Sequence, residues 1–176
     1  MRTQQLHDST KHFINLYAPF CTHALTLQMN LPTLNVSEVK MTMLKERAQR
    51  TARQFNRRLA VAAYSNGAIR KPALYSPLII TAIEGTKNIY DKNRTLHLHI
   101  ALGNILTSNS CIQTEEQLKT IIRNEWLATA DGVDDIDIQQ MTSDRWITYI
   151  TKEFDYGNAE CIDWQNCYIP HAALLL

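Results

Sequence analysis

Two histidines separated by one residue are the strongest chemical feature of this 176-residue chain. His97 and His99 lie in an apolar stretch, residues 94–103, whose alternating leucines are typical of a β-strand. Because successive side chains of a strand point to opposite faces, both imidazoles are expected on one face, with Leu96 and Leu98 on the other. Neutral imidazole is a common metal ligand, so the pair predicts a binding site for a divalent cation.

Glu84 is expected to supply a third ligand to this site. Residues 78–86 predict a strand, and a hairpin with the histidine strand brings the Glu84 carboxylate beside His97 and His99. Two imidazoles and one carboxylate leave coordination positions open, which suits a metal ion that must also hold a phosphate oxygen. The alternative interpretation is a glutamate at the edge of a loop, with no role in binding.

A tyrosine and a lysine three residues apart lie in a predicted C-terminal helix, which begins at Thr142 or Ser143 and runs through Phe154. Tyr149 and Lys152 are therefore neighbours on one helix face. A phenol, with a pKa of about 10, is a poor nucleophile at neutral pH. It becomes effective when a metal polarises a phosphodiester and a nearby ammonium stabilises negative charge. The pair is consistent with a tyrosine nucleophile beside a lysine.

Tyr156 leaves open a second nucleophile, because it lies seven residues, about two helical turns, beyond Tyr149. The residues around it, Asp155 and Gly157, favour the end of a helix, and one nucleophile is the preferred interpretation.

Four strands and two helices must position these residues. Alternation over residues 23–30 predicts the first strand, and residues 134–141 predict the last. Residues 38–63, with Ser37 as N-cap, and residues 114–129 predict amphipathic helices. The order β-α-β-β-α-β predicts an α+β fold of the ferredoxin-like (RRM-like) split βαβ type. In that fold an antiparallel sheet has helices on one face and an open active-site face, here with a C-terminal helix that carries the tyrosine.

Length and composition predict one domain over residues 1–176, with a core of about 22–155, an N-terminal extension 1–21 and a C-terminal tail 156–176. The hydrophobic fraction of 45% and the charged fraction of 20% are those of a globular protein. No apolar run is long enough to cross a bilayer, and the first twenty residues lack the pattern of a signal peptide. A protein of the cytoplasm, or of the host-cell compartment that contains the DNA, is expected, with no membrane partner.

The four cysteines are scattered, which predicts reduced thiols. Zinc binding by Cys161, Cys167 and His171 is a weaker alternative, because their spacing matches no compact zinc motif.

Together, the histidine pair on an inner strand and the tyrosine–lysine pair on the closing helix resemble the motifs of the HUH endonuclease superfamily. The closest resemblance is to the single-tyrosine replication initiators (Rep proteins) of rolling-circle plasmids and small single-stranded DNA viruses. Residues 24–28 resemble the first motif only loosely, residues 96–100 the metal motif, and residues 149–152 the tyrosine motif. The resemblance covers about residues 22–155, and no helicase segment follows.

The resemblance implies an enzyme that nicks and rejoins single-stranded or hairpin DNA at an origin. Glu84, His97 and His99 would hold Mn²⁺ or Mg²⁺, and Tyr149 would form a 5′-phosphotyrosine bond while Lys152 contacts the scissile phosphate. A host helicase and polymerase would be further partners.

Several other residues are candidates for DNA contacts on polarity, charge or position alone. Arg50, Arg53 and Arg57 recur at three- and four-residue steps and could follow a phosphate backbone, although a solvated helix face explains them equally well. The remaining candidates are polar residues of the first strand and an aromatic residue one turn before the tyrosine: Gln28, Asn30 and Trp146.

Two other functions remain open. A transposase or small relaxase of the same superfamily would share the chemistry and differ in its DNA substrate. A non-catalytic nucleic-acid-binding module on the same sheet would be expected to present aromatic residues where this chain has histidines. A phosphoesterase with paired HxT motifs is disfavoured because the chain has one HxH and no second copy.

Overall fold

The computed structural model describes residues 2–85, 94–141 and 161–171. Its helices and strands follow one another in an order that begins with a helix. They are helix α1 (Arg2–Tyr17), strand β1 (Cys21–Pro32), helices α2 (Glu38–Tyr64) and α3 (Asn66–Arg70), strands β2 (Leu78–Glu84) and β3 (Thr95–Gly103), helix α4 (Glu115–Leu127) and strand β4 (Gly132–Gln140). Short 3₁₀ helices cover Ala18–Phe20 and Trp164–Asn166.

The four strands form one open antiparallel sheet in the order β2-β3-β1-β4. An α+β protein with an antiparallel sheet is therefore confirmed, and the predicted strands and helices within the described residues are present with ends shifted by at most two residues. The shift is the usual one, because sequence patterns locate element ends less well than elements. β3 and β1 are the two central strands, so they have a neighbour on each side.

Side-chain caps explain where the two long helices begin. The Ser37 hydroxyl accepts a hydrogen bond from the Lys40 amide at the start of α2, and the Thr114 hydroxyl accepts one from the Gln117 amide at the start of α4. α2 ends at Tyr64, where Ser65 has a positive φ of 50°. Asn66 and Gly67 lie within the following short helix α3.

α2 and α4 pack against one face of the sheet and form the main hydrophobic core there. Alternate residues of β3, Leu96, Leu98, Ile100 and Leu102, belong to this core, as predicted. Phe55 of α2 and Trp126 of α4 meet edge to face with ring centroids 5.6 Å apart, and neither is exposed to solvent.

The opposite face, which also carries Glu84, has a hydrophobic cluster of its own, so the prediction of helices on one face only is wrong. Ile14 of α1 packs in this cluster with Leu78, Ile80 and Ala101 of the sheet. The physical reason is that β2 is buried along its whole length and presents apolar side chains to both faces. The segment predicted as an N-terminal extension supplies an amphipathic helix that covers part of the second face.

Residues 161–168 run along the outer edge of β2. The backbones of Ile79 and Tyr168 exchange two hydrogen bonds, of 2.8 and 2.7 Å, and a second antiparallel bridge joins Ala82 to Ile162. Asn166 ties the segment to α2 by donating to the Gln49 carbonyl over 2.9 Å. Part of the predicted tail is therefore an edge cover that satisfies the backbone groups of β2.

Two further sequence predictions concern the C-terminal helix and membrane-spanning segments. The C-terminal helix that carries the tyrosine lies outside the described residues. Among the helices that the structure does describe, none combines the length and the apolar character that crossing a membrane requires.

Candidate metal centre

The register of β2 and β3 brings the three predicted ligands together. Glu84 is the direct partner of His97 across the two strands, and His99 lies two residues further along β3 on the same face. The apolar side chains between them, Ile83 and Leu98, point into the helix-packed core, so the two imidazoles and the carboxylate meet on the opposite face. The predicted hairpin arrangement of the three residues is confirmed.

The three side chains are close enough to share one ion. Oε2 of Glu84 lies 3.1 Å from Nε2 of His99 and 3.7 Å from Nε2 of His97. The two imidazole rings stand nearly perpendicular, at 88°, with centroids 4.8 Å apart. One ligand atom from each residue lies within 4.8 Å of the other two. Since metal–nitrogen and metal–oxygen bonds of about 2.0–2.2 Å hold ligand atoms at most about 4.4 Å apart, small side-chain rotations suffice to close the site.

Burial increases the need of this cluster for a compensating positive charge. Glu84 and His99 are buried, with 1% and 0% of the side chain exposed, whereas His97 retains 20%. A carboxylate removed from water needs a positive charge or several hydrogen bonds nearby, because its desolvation is otherwise costly. A divalent cation bound by the carboxylate and both imidazoles meets that demand, and His97 provides the side of the cluster that solvent reaches.

The other nitrogen of each ring is also held. Nδ1 of His97 lies 3.4 Å from the Thr95 carbonyl oxygen, which can only accept a hydrogen bond, so this contact favours the proton on Nδ1. Nδ1 of His99 lies 3.1 Å from the hydroxyl of Thr26 on β1. When both Nδ1 atoms carry the proton, both Nε2 lone pairs are free to bind a metal.

The donor set therefore fits a metal ion. Two imidazoles, each held by a neighbouring group at Nδ1, and one carboxylate are ligands that Mn, Fe and Zn accept, and they leave positions for oxygen ligands from water or a substrate. Among the residues that the structure describes, this is the one group of three metal-ligating side chains brought so close together.

The remaining site candidates are spread over the molecule. Gln28 pairs with His97 across β1 and β3, and its side-chain oxygen accepts a hydrogen bond from the Thr95 hydroxyl over 3.2 Å. Asn30 is exposed near the end of β1. The three arginines of α2 are exposed on a helix that packs against the other face of the sheet, away from the metal site: Arg50, Arg53 and Arg57. Trp146, Tyr149, Lys152 and Tyr156 lie outside the described residues.

Thr26 is the residue that sequence reasoning missed. It alternates with Gln28 on the first strand, and the pairing of Thr26 with His99 places its hydroxyl on the imidazole. The polarity of the residue was visible in the sequence, but its partner depends on the register between strands more than seventy residues apart in the chain.

The cysteines do not form a second metal site within the described residues. None of the four forms a disulfide, and Cys161 and Cys167 do not join His171 in a metal-ligating group. Burial raises the pKa of the Cys21 and Cys167 thiols to about 12, so neither is a thiolate at neutral pH. The prediction of reduced thiols agrees with the lack of a disulfide among the four cysteines.

No protein-family model, curated protein or solved structure matches this chain.

Proposed function

We propose that this protein is a metal-dependent endonuclease of the HUH type, which nicks and rejoins single-stranded DNA through a covalent bond to Tyr149. One observation carries the proposal: Glu84, His97 and His99 meet on one face of the central sheet with their ligand atoms within 4.8 Å. Initiation of rolling-circle replication is the biological role that the sequence resemblance favours.

The arrangement of the sheet supports the ferredoxin-like fold that the sequence predicts. The strand order β2-β3-β1-β4, with α2 and α4 on one face, is the order expected of a ferredoxin-like split βαβ fold. Many unrelated functions use that fold, so the metal-binding residues and not the architecture carry the functional argument.

Residues in and around the metal-binding cluster would bind and orient a phosphodiester. Glu84 and the two imidazoles would hold Mn²⁺ or Mg²⁺, and the bound ion would polarise the scissile phosphate. Thr26 and the Thr95 carbonyl fix the orientation of the imidazoles. Gln28, which lies beside His97 on the same face, would contact the DNA next to the cut.

Tyr149 and Lys152 take their roles from the sequence. The Tyr149 oxygen would attack the phosphorus as the phenol loses its proton, and the bond from phosphorus to the 3′ oxygen would break. The products are a 5′-phosphotyrosine and a free 3′-hydroxyl, which takes up a proton. The Lys152 ammonium would stabilise the negative charge that develops on the phosphate oxygens. The reverse reaction rejoins the strand.

Trapping of the covalent intermediate tests the proposal. The protein is mixed with MnCl₂ and single-stranded oligonucleotides that tile the DNA flanking its gene, and SDS gels are examined for a protein–DNA adduct. An adduct is expected with the wild type and with Tyr75→Phe, which alters a tyrosine packed near Tyr64 on the helix side of the sheet. It should disappear in Tyr149→Phe. An adduct that survives Tyr149→Phe contradicts the assigned nucleophile, and its loss in Tyr156→Phe contradicts a single-tyrosine reaction.

Metal binding is tested separately by calorimetric titration with MnCl₂. One ion per chain is expected for the wild type and for His171→Ala, whose side chain is exposed and lies outside the cluster. The double variant His97→Ala/His99→Ala should bind none and form no adduct. Equal binding by the double variant and the wild type would disprove the metal assignment. DNA binding without any adduct would favour the non-catalytic module.

A further inference from the structure

The outward side of α2 carries four arginines around a shallow depression. The depression has a volume of about 650 Å³ and lies between α2 and the Glu125 end of α4. Its basic lining residues are Arg50, Arg53, Arg57 and Arg58, which together are called the arginine surface below. Residues of α2 that alternate with them, such as Ala52, Phe55 and Leu59, are buried against the sheet. The arginine surface therefore points away from the metal centre.

Two of the four arginines on the arginine surface have no acidic partner among the described residues. Four arginines and one glutamate line the depression, a net charge of +3, and Arg53 also interacts electrostatically with Asp163. Glu125 pairs with Arg58 over 2.7 Å, and within the described residues neither Arg50 nor Arg57 forms an ion pair. Arg47, one turn before, differs because Asp131 binds its guanidinium at 2.5 Å. Exposed guanidinium groups that lack a carboxylate partner favour a polyanionic ligand.

A second depression adjoins the arginine surface and has an aromatic wall. It has a volume of about 220 Å³, and Arg53 and Arg57 line it together with Tyr168. The Tyr168 ring belongs to the segment that covers the edge of β2, and the residue is 37% exposed. Arg53 donates to Gln165 of the same segment over 3.0 Å, which holds its guanidinium between the two depressions. Apolar side chains, including Pro77 and Ile79, complete the lining.

The combination of basic groups and an exposed aromatic ring is typical of sites that bind single-stranded nucleic acids. Single-stranded nucleic acids are bound by positive groups that follow the phosphates and by aromatic rings on which bases stack. Arg50 and Arg57 are seven residues apart, so the basic row spans about 10 Å along the helix axis. A row of this length next to one aromatic pocket fits a short stretch of single strand better than an acidic protein, which offers no bases for Tyr168.

We infer that the arginine surface and Tyr168 form a binding site for single-stranded DNA, separate from the metal centre. The phosphates lie along Arg50, Arg53 and Arg57, and one base stacks on Tyr168. Because the sheet separates this surface from the metal centre, the strand held here is a segment distinct from the one at the metal. Naming DNA as the ligand rests on the proposed nicking function, whereas binding of a single strand rests on the charges and the ring.

Fluorescence anisotropy with labelled oligonucleotides in EDTA tests the inference. The probes are dT₂₀, rU₂₀ and a 20-base-pair duplex, each at several salt concentrations. Arg50→Ala/Arg57→Ala is expected to weaken dT₂₀ binding about 10- to 30-fold near 0.1 M salt and to reduce the salt slope by about 1.4. The matched control Lys119→Ala/Arg123→Ala removes two charges from α4, where each side chain has an acidic partner, and should bind like the wild type.

Two variants of Tyr168 test the role of the aromatic ring. Tyr168→Ala is expected to weaken dT₂₀ binding about 5- to 150-fold, whereas Tyr168→Phe keeps the ring and should bind like the wild type. Duplex binding should be unchanged by both. An arginine double variant with wild-type affinity and salt slope overturns the site, and Tyr168→Ala with wild-type affinity overturns the stacking role. Tighter binding of rU₂₀ than dT₂₀ overturns DNA as the ligand.

These measurements are independent of the nicking reaction. They use neither metal nor cleavage, so a failure of the adduct assay leaves the binding result interpretable. Conversely, absence of binding at the arginine surface leaves the adduct assay with short oligonucleotides unaffected as a test of the metal centre. Unfolding midpoints of the arginine variants check that the fold is retained.

Discussion

At the scale of single residues, two histidine–glutamate pairs on opposite faces of the sheet differ in the number of side chains that could bind a metal. Nε2 of His23 lies 3.0 Å from both carboxylate oxygens of Glu115, and its Nδ1 lies 2.8 Å from the Thr22 hydroxyl. That pair has the same groups as His99, Glu84 and a threonine, but it lacks a second imidazole. The two groups differ because the HxH spacing supplies a third metal-ligating side chain from the same strand.

Thr26 should influence metal affinity without touching the metal. Its hydroxyl holds Nδ1 of His99 at 3.1 Å, and loss of such an outer contact typically lowers metal affinity about 10- to 100-fold. Thr26→Val, which keeps the shape, is expected to weaken Mn²⁺ binding by that factor in calorimetric titrations. Thr120→Val is the control, since its hydroxyl bonds only within α4. Equal affinities of the two variants would show that the Thr26 contact is dispensable.

At the scale of elements, the start of α4 is attached to the first and last strands through one carboxylate. Glu115 follows the Thr114 cap and accepts hydrogen bonds from His23 of β1 and Gln140 of β4. Burial raises the pKa of Glu115, but these hydrogen bonds from Gln140 and His23 outweigh it and leave the pKa below its usual value of 4.5. The charged form of Glu115 therefore positions the start of α4.

This lowered pKa predicts a pH-dependent contribution to stability. A carboxyl whose pKa is lower in the folded state stabilises the fold above its unfolded pKa, and the contribution is lost as the pH falls through the folded value. Glu115→Gln should be less stable than the wild type at pH 7, by up to about 1 kcal/mol for a pair that solvent screens. Urea unfolding at pH 7 and pH 3 should show the difference shrinking in acid. Glu116→Gln is the exposed neighbour for comparison, and an equal gap at both pH values contradicts the assignment.

At the scale of the whole molecule, the sheet has a hydrophobic cluster on each face. α2 and α4 build the larger one, while α1 and the segment 161–169 build the smaller one beside the metal centre. The candidate metal centre therefore lies on a partly covered face, which accounts in part for the burial of a polar site in an open sheet.

Two aliphatic residues of α1 test whether this cover contributes to stability. Ile14 is 1% exposed and packs on the sheet, whereas Leu16 is 54% exposed on the same helix. Ile14→Ala is expected to lower the free energy of unfolding by about 2–5 kcal/mol, because it leaves a cavity in a buried cluster. Leu16→Ala should change it by no more than about 0.5 kcal/mol. Urea denaturation measures both, and similar values for the two would show that α1 does not stabilise the fold.

The sequence by itself determined the local geometry of the candidate metal centre. A period of two places His97 and His99 on one face whatever the strand packs against, and a hairpin makes the preceding strand their neighbour. The caps at Ser37 and Thr114 are also local, since each acts within one helical turn. These features depend on residues close in the chain, and the structure confirms them.

Only the tertiary structure decided what surrounds that centre. The partnership of Thr26 with His99, the packing of Ile14 on the second face and the edge cover ending near Tyr168 all join segments far apart in sequence. Periodicity shows which side of β2 is apolar, but hydrophobic burial has no direction and does not specify the covering element. The sequence thus predicted the ligands, while long-range register and packing decided their orientation and their access to solvent.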